Sequence, residues 1–114
     1  MLQIKNHKYN YKPLPKSVTI KDSNIEGLGL FSTEVILTGT DLGVSHLITD
    51  DYELFRTGLG SWVNHNENPN CLIQILGKRI HLIVAEAVEA NTELTLDYNN
   101  SLDYIINNFP NLNL

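Results

Sequence analysis

Cysteine, methionine and long hydrophobic runs are almost missing from this chain. Its 114 residues include one cysteine and one methionine, and no apolar stretch approaches the length that spans a membrane. A single cysteine cannot form an internal disulfide, and with four scattered histidines it does not make a usual structural zinc site. The first residues lack the apolar core of a signal peptide. These absences predict an intracellular, cytoplasmic protein with no metal ion and no membrane contact.

Acidic residues are missing from the first part of the chain. Residues 1–21 carry five lysines and no acid, whereas residues 22–114 carry all 13 acidic residues against three basic ones, a net charge of −10. Such an acidic domain repels nucleic acid and attracts basic peptides by long-range steering. Most individual acids are equally well explained as a charged surface that keeps the protein soluble. We therefore expect no direct contact with nucleic acid.

The length predicts one domain, and the composition predicts its ends. Residues 1–16 contain two prolines among lysines and show no period, which is typical of an extended arm. Residues 17–100 form the predicted domain. Residues 101–114 form a C-terminal flank, with a short helix over residues 101–109 and a loose tail over residues 107–111.

Alternating polar and apolar residues predict many short strands and little helix. A hairpin is expected at Gly77-Lys78, between two strongly apolar runs. The best helix start lies in Thr49–Arg56, where Thr49 or Asp50 can cap and acids fill the first turn. Many short strands with little helix predict a mainly β fold, such as a small sandwich or barrel. The predicted strands are Ser17–Lys21, Leu30–Phe31, Val35–Leu37, Leu42–Ile48, Leu72–Leu76, Arg79–Ala85 and Glu93–Tyr98.

Three short segments carry residues that are suited to chemistry. In Gly27-Leu28-Gly29 the glycines let backbone groups approach a ligand, although such a pair more often forms an ordinary hairpin bend. Asn64-His65 directly follows Trp62-Val63, where the end of a buried segment is expected. Tyr98 ends a strand-like run, and taken alone it is simply a surface aromatic.

Residues near these segments have plainer interpretations. Asn66, Asn68 and Asn70 are typical of a loop whose side chains bond their own backbone. Cys71 is better explained as a small buried hydrophobe than as a nucleophile. Glu93 lies too far from the next acid of its strand to form a catalytic acid pair.

Taken in order, the segments resemble the SET domain, the fold of many protein-lysine methyltransferases. Residues 25–31 are similar to the family's glycine motif, and residues 63–71 to its Asn-His-Ser-x-x-Pro-Asn segment. Residues 88–98 are similar to its closing motif. The resemblance covers residues 18–98, nearly the whole domain.

Several departures from the family pattern are present, among them Asn91 in place of a common glycine. Asn66 replaces the usual serine, and both residues are small and polar. Leu96 replaces the Phe or Tyr that limits the number of added methyl groups in many members, so the product state is open. No cysteine cluster follows Tyr98, so the zinc-binding flank of many histone methyltransferases is absent. The C-terminal flank over residues 101–114 would cover the cofactor and substrate site instead. The chain resembles the small viral and bacterial members most, and a viral origin would place it in the host nucleus.

The resemblance implies a β-clip-like fold of several short sheets with a C-terminal pseudoknot. It implies transfer of a methyl group from S-adenosylmethionine to a lysine of a basic protein or peptide, with Tyr98 as the catalytic residue. Asn64 would hold the methionine part of the cofactor together with the glycine bend, and His65 would hold adenine mainly through its backbone. The residues implied to bind the cofactor are Gly27, Leu28, Gly29, Asn64 and His65.

Two alternatives stay open beside the enzyme. One is a catalytically inactive SET-like binding module that recognises the cofactor or a basic peptide, and the presence of Tyr98 ranks it second. The other is a small β-sandwich without an active site, in which the motifs arise by chance. The sequence allows either a monomer or a homodimer.

Overall fold

The computed structural model describes residues 14–114, so most of the predicted arm over residues 1–16 lies outside the described residues. The described chain is mainly β, as predicted, with two small sheets and one α-helix near the C-terminal end. The elements are β1 (Val18–Asp22), β2 (Leu28–Ser32), β3 (Asp41–Ile48), β4 (Leu54–Arg56), a 3-10 turn (Gly60–Trp62), β5 (Asn64–His65), β6 (Cys71–Leu76), β7 (Arg79–Val84), β8 (Glu93–Leu96) and α1 (Tyr98–Asn108).

The first sheet joins strands that are far apart in the sequence. Its order is β1-β2-β8-β5, so the closing strand β8 is inserted between two earlier strands. β8 runs antiparallel to β2, with Leu94 opposite Leu30, and parallel to β5, with Thr95 opposite Asn64. This insertion is the arrangement expected of the predicted pseudoknot, and it carries the end of β8 toward the Asn-His segment.

The second sheet has the order β4-β3-β7-β6. Its hairpin between β6 and β7 runs from the pair Cys71 and Val84 to the pair Leu76 and Arg79. Gly77 turns the hairpin with a φ of +63°, a conformation that glycine adopts without strain. The predicted hairpin is therefore confirmed.

One cluster of buried apolar side chains joins the two sheets. Along β7 every second residue is fully buried, namely Ile80, Leu82 and Val84, as expected where one face of a strand covers a core. Leu30 and Leu94 are fully buried on the first sheet. Each such side chain contributes about 1.5–3 kcal/mol through burial, which fixes the sheets that carry the candidate site.

The predicted helix over Thr49–Arg56 is wrong. A turn is closed by a hydrogen bond from Tyr52 N to Thr49 O at 2.9 Å, and Tyr52 has a φ of +60°. The residues after it form β4 along the edge of β3. Two helical turns are marginal by themselves, and the free strand edge offers Leu54–Arg56 backbone partners that a short helix does not have. The predicted strand at Val35–Leu37 is reduced to a bridge between Ile36 and Val88.

The C-terminal helix begins earlier than predicted. The Asp97 carboxylate accepts hydrogen bonds from the backbone N–H groups of Asn99 and Asn100, which caps α1. β8 therefore ends at Leu96, and Tyr98 opens the helix instead of ending the strand.

The predicted loose tail over residues 107–111 is largely exposed, but it is anchored at Phe109. Phe109 and Leu112 lie against the core, and Asn113 N donates to Tyr52 O at 2.8 Å. The end of the described chain thus lies beside the turn that precedes β4. Within residues 14–114, no helix is both long and apolar enough to cross a membrane.

Candidate functional site

The glycine bend and the Asn-His segment meet through one side chain. Asn64 Nδ2 lies 3.2 Å from the carbonyl oxygens of both Glu26 and Leu28, and 2.8 Å from Glu93 Oε2. Asn64 is therefore fastened to the bend on one side and to β8 on the other. Gly27 has a φ of +44°, and a Cβ atom there would meet nothing within 4 Å. The bend is thus open beside Gly27.

Glu93, which the sequence analysis considered only as half of an acid pair, lies against the bend. Glu93 accepts a hydrogen bond from Ser23 Oγ at 2.7 Å, and a Cβ atom at Gly29 would overlap its carboxylate. Gly29 is therefore required by a side chain of the protein itself. The strand alternation next to buried Leu94 indicates that Glu93 points away from the core, but a strand pattern does not say what the side chain meets.

Asn70 is a clamp on β8. Its Nδ2 atom donates to Glu93 O at 2.8 Å, and its Oδ1 atom accepts from Thr95 N at 2.9 Å. The prediction that Asn70 bonds only its local backbone is therefore wrong. The prediction is confirmed for Asn66, whose Oδ1 atom accepts from Asn68 N at 2.8 Å.

His65 holds the start of α1 in place. Tyr98 N donates to His65 Nδ1 at 3.0 Å, and the two ring centroids lie 5.3 Å apart. Because Nδ1 accepts this bond, the neutral imidazole carries its proton on Nε2. The Tyr98 hydroxyl donates to the carbonyl oxygen of Val63. Hydrogen bonds thus connect Tyr98 to both residues that flank Asn64.

Tyr98 lines a cavity of about 340 Å³ between the second sheet, α1 and the C-terminal tail. Val63 also lines it, whereas the neighbouring Asn64 reaches the glycine bend. The cavity and the bend therefore lie on opposite sides of one extended segment. The lining combines apolar side chains with two basic ones and, among the described residues, no acidic one: His46, Leu54, Arg56, Gly60, Val63, Ile73, Leu96, Tyr98, Ser101, Leu102, Ile105, Asn113 and Leu114.

His46 is a half-buried titratable group of this cavity, and the sequence analysis did not single it out. Its Nδ1 atom lies 2.9 Å from Ser45 Oγ. Burial lowers the pKa of His46 to about 4, and the neighbouring Arg56 adds to the effect, so the ring is neutral at physiological pH. His46 and Arg56 each stand alone in a strand-like run, so nothing in the sequence indicates that they line the same cavity.

Cys71 behaves as predicted. It is buried at the start of β6, and burial raises its pKa to about 12. The thiol therefore does not act as a nucleophile near neutral pH. Within residues 14–114, no group of three or more His, Cys, Asp or Glu side chains is placed to hold a metal ion.

The site residues predicted from the sequence are thus brought together in two linked pairs. Leu28, between Gly27 and Gly29, accepts from Asn64, and the adjacent His65 accepts from Tyr98.

Comparison with known proteins gives a consistent result. The family model of the SET domain matches residues 7–99. Comparison with curated proteins gives no significant match. Among solved structures, the fold is similar to a Plasmodium falciparum protein named as a candidate histone methyltransferase, with 20% identity, a TM-score of 0.60, and coverage of 74% of this chain and 94% of that chain.

Two further structures show the same likeness. The methyltransferase domain of human PR domain-containing protein 2 has 16% identity and a TM-score of 0.60, with 72% of this chain and 76% of that chain covered. A humanized mutant of the Chaetomium thermophilum Polycomb Repressive Complex 2, bound to the inhibitor GSK126, has 19% identity and a TM-score of 0.63 over 75% of this chain and 15% of that chain. At these identities the likeness concerns the fold.

Proposed function

Because the chain belongs to the SET-domain family, we propose that it is a protein-lysine methyltransferase that uses S-adenosylmethionine and acts on a basic protein or peptide. The observation that carries the proposal is that one segment joins the two parts of the site. Asn64 reaches the glycine bend, while Tyr98, hydrogen-bonded to the flanking Val63 and His65, lines the cavity on the other side. S-adenosylmethionine supplies an activated methyl group when bound. The chain's own residues would bind, orient and shield the two reactants.

The atoms around the glycine bend suit a cationic cofactor. The carbonyl groups of Glu26 and Leu28 and the carboxylate of Glu93 converge on Asn64. S-adenosylmethionine carries an ammonium and a sulfonium group, which such oxygen atoms attract. The open side of Gly27 leaves space for a ligand. We assign the methionine part to Gly27, Leu28, Gly29 and Asn64, and the adenine part to the backbone of His65.

The cavity suits an uncharged lysine amine. Methyl transfer requires the neutral amine, whereas lysine in water is protonated at pH 7. The apolar side chains of Val63, Leu96 and Ile105 disfavour an ammonium group and would lower the pKa of a lysine that enters. Neutral His46 adds no charge that would stabilise the ammonium, and Arg56 disfavours it further.

Tyr98 would orient the reacting groups. Its hydroxyl proton is used by Val63 O, so its oxygen is left to accept a hydrogen bond from the amine or a weak one from the polarised methyl group. Contacts from carbon–hydrogen groups are worth only about 0.5–1 kcal/mol each. Correct alignment of two reactants is worth roughly 7–11 kcal/mol, so orientation is the larger contribution.

The charge distribution favours a basic substrate. The acidic part of the chain, residues 22–114, attracts a lysine-bearing segment from a distance. The cavity itself presents no acidic side chain among the described residues. The negative charge of the domain would therefore attract the approaching substrate without stabilising the bound lysine as an ammonium group. We infer a substrate whose lysine lies in a basic, accessible segment.

The proposal is tested with labelled S-adenosylmethionine and a panel of basic proteins, using wild type, Tyr98→Phe and Tyr104→Phe. Removal of the Tyr98 hydroxyl should lower turnover by about 10- to 100-fold, the effect of losing one orienting hydrogen bond. Cofactor binding measured by calorimetry should stay unchanged. Tyr104→Phe is the matched control, because Tyr104 lies on the same helix and is similarly exposed but does not line the cavity.

Each outcome separates the candidates. Equal turnover of the two variants would contradict the role of Tyr98. Wild-type binding of the cofactor without transfer to any basic protein would favour the inactive binding module. A wild-type protein that binds no S-adenosylmethionine would contradict both.

A further inference from the structure

The Asn64 side chain can be oriented in only one way. Its Nδ2 atom is surrounded by four oxygen atoms: Glu93 Oε2 at 2.8 Å, Ser23 Oγ at 3.1 Å, and the carbonyl oxygens of Glu26 and Leu28 at 3.2 Å. If the amide were turned over, its own oxygen would face three oxygens that have no proton to donate. The nitrogen therefore points into this group, and Oδ1, for which no hydrogen bond is found within residues 14–114, is left as an acceptor.

The Glu93 carboxylate is held in that group by neutral partners. Ser23 Oγ lies 2.7 Å from Oε1 and 2.9 Å from Oε2, and Gly29 provides the space. The ion pairs recorded within residues 14–114 join Lys78 to Asp50 and His81 to Asp41, and neither includes Glu93. A half-buried carboxylate with no cation from this part of the chain favours a ligand that brings one.

We propose that Glu93 selects the α-ammonium group of the cofactor's amino-acid part, both by its charge and by holding Asn64 with Oδ1 toward the ligand. This inference rests on the proposed use of S-adenosylmethionine, whose α-ammonium group is the cation concerned. Glu93 is thus a positioning residue: Asn64 makes the contact, and Glu93 fixes the orientation of its amide and strengthens its attraction for a positive group.

The test compares two ligands by calorimetry. S-adenosylhomocysteine carries the α-ammonium group, whereas 5′-methylthioadenosine shares the adenosine and the sulfur atom but lacks the amino-acid part. Glu93→Gln keeps the shape of the side chain and removes its charge. It should weaken binding of S-adenosylhomocysteine by about 10- to 100-fold, because the α-ammonium group loses the attraction of a nearby negative charge. Binding of 5′-methylthioadenosine should be unchanged.

Two further variants serve as a charge control and as a substitute for Glu93→Gln. Glu34→Gln removes the same charge from an exposed position and should leave both affinities unchanged. Ser23→Ala removes the hydroxyl that holds the carboxylate, and should give a smaller loss for S-adenosylhomocysteine only. It replaces Glu93→Gln if that variant does not fold.

The outcomes distinguish this inference from the proposed function. Equal weakening of both ligands would show that Glu93 merely supports the fold of the bend, and would overturn the inference. No change for either ligand would overturn it as well, while the methyltransferase proposal would stand. A wild-type protein that binds neither ligand would overturn both together.

Discussion

Lowering the pH from 7 to 5 should destabilise this fold through His46. The folded protein holds the pKa of His46 at about 4, because the ring is buried and lies near Arg56, whereas an unfolded histidine has a pKa of 6.5. As the pH falls, the unfolded chain takes up this proton first. The stability that depends on the neutral ring is therefore complete above about pH 6.5 and is lost as the pH falls toward 4. At pH 5 the loss is about 2 kcal/mol.

Urea unfolding of wild type and His46→Asn at both pH values isolates this contribution. Asparagine keeps a polar group near Ser45 Oγ but does not titrate. Carboxylates and the other histidines are common to the two proteins, so their effects cancel in the difference. We expect wild type to lose about 2 kcal/mol more than the variant between pH 7 and pH 5. Equal losses would refute the reasoning, because the folded protein would then accept the proton on His46.

Two asparagines of the same loop provide the remaining predictions. Asn64→Ala should weaken S-adenosylmethionine binding while Asn68→Ala, an exposed position, should not; equal affinities by calorimetry would remove Asn64 from the site. Asn70→Ala should lower the free energy of unfolding by about 1–3 kcal/mol, because it leaves two backbone groups of β8 without partners. Asn66→Ala, which loses only a local bond, should cost clearly less, and a similar cost in urea unfolding would contradict the clamp.

Parts of the fold were predictable because their signals are local. The hairpin at Gly77 needs a glycine between two apolar runs, and the burial of Ile80, Leu82 and Val84 follows from their spacing. The helix over Thr49–Arg56 failed for the opposite reason. Its capping and charge signals are local too. However, the edge of β3 offers backbone hydrogen-bond partners to Leu54–Arg56, and these cannot be recognised from the neighbouring residues alone.

The candidate site also contains residues that were predicted from the sequence and contacts that were not. Asn64, His65 and Tyr98 were predicted because the order of their motifs resembles a family. In the structure Asn64 donates to Leu28 O, and Tyr98 N donates to His65 Nδ1. The contacts of Glu93 with Ser23 and of His46 with the cavity were not predicted, since they depend on residues far away in the sequence. Glu93 meets Ser23 only because β8 is inserted beside β2, and nothing in the residues next to either side chain indicates that contact.

The insertion of β8 also has a consequence for how the protein is made. Ser23 and Glu93 lie 70 residues apart, as do Lys21 and Asn91. The glycine bend therefore cannot contact β8 until most of the chain has been synthesised. Until then β2 presents an unpaired edge, which invites association between nascent chains. A small molecule that binds only the finished bend would stabilise the completed fold over its precursors, so supply of that molecule would govern the yield of newly made protein.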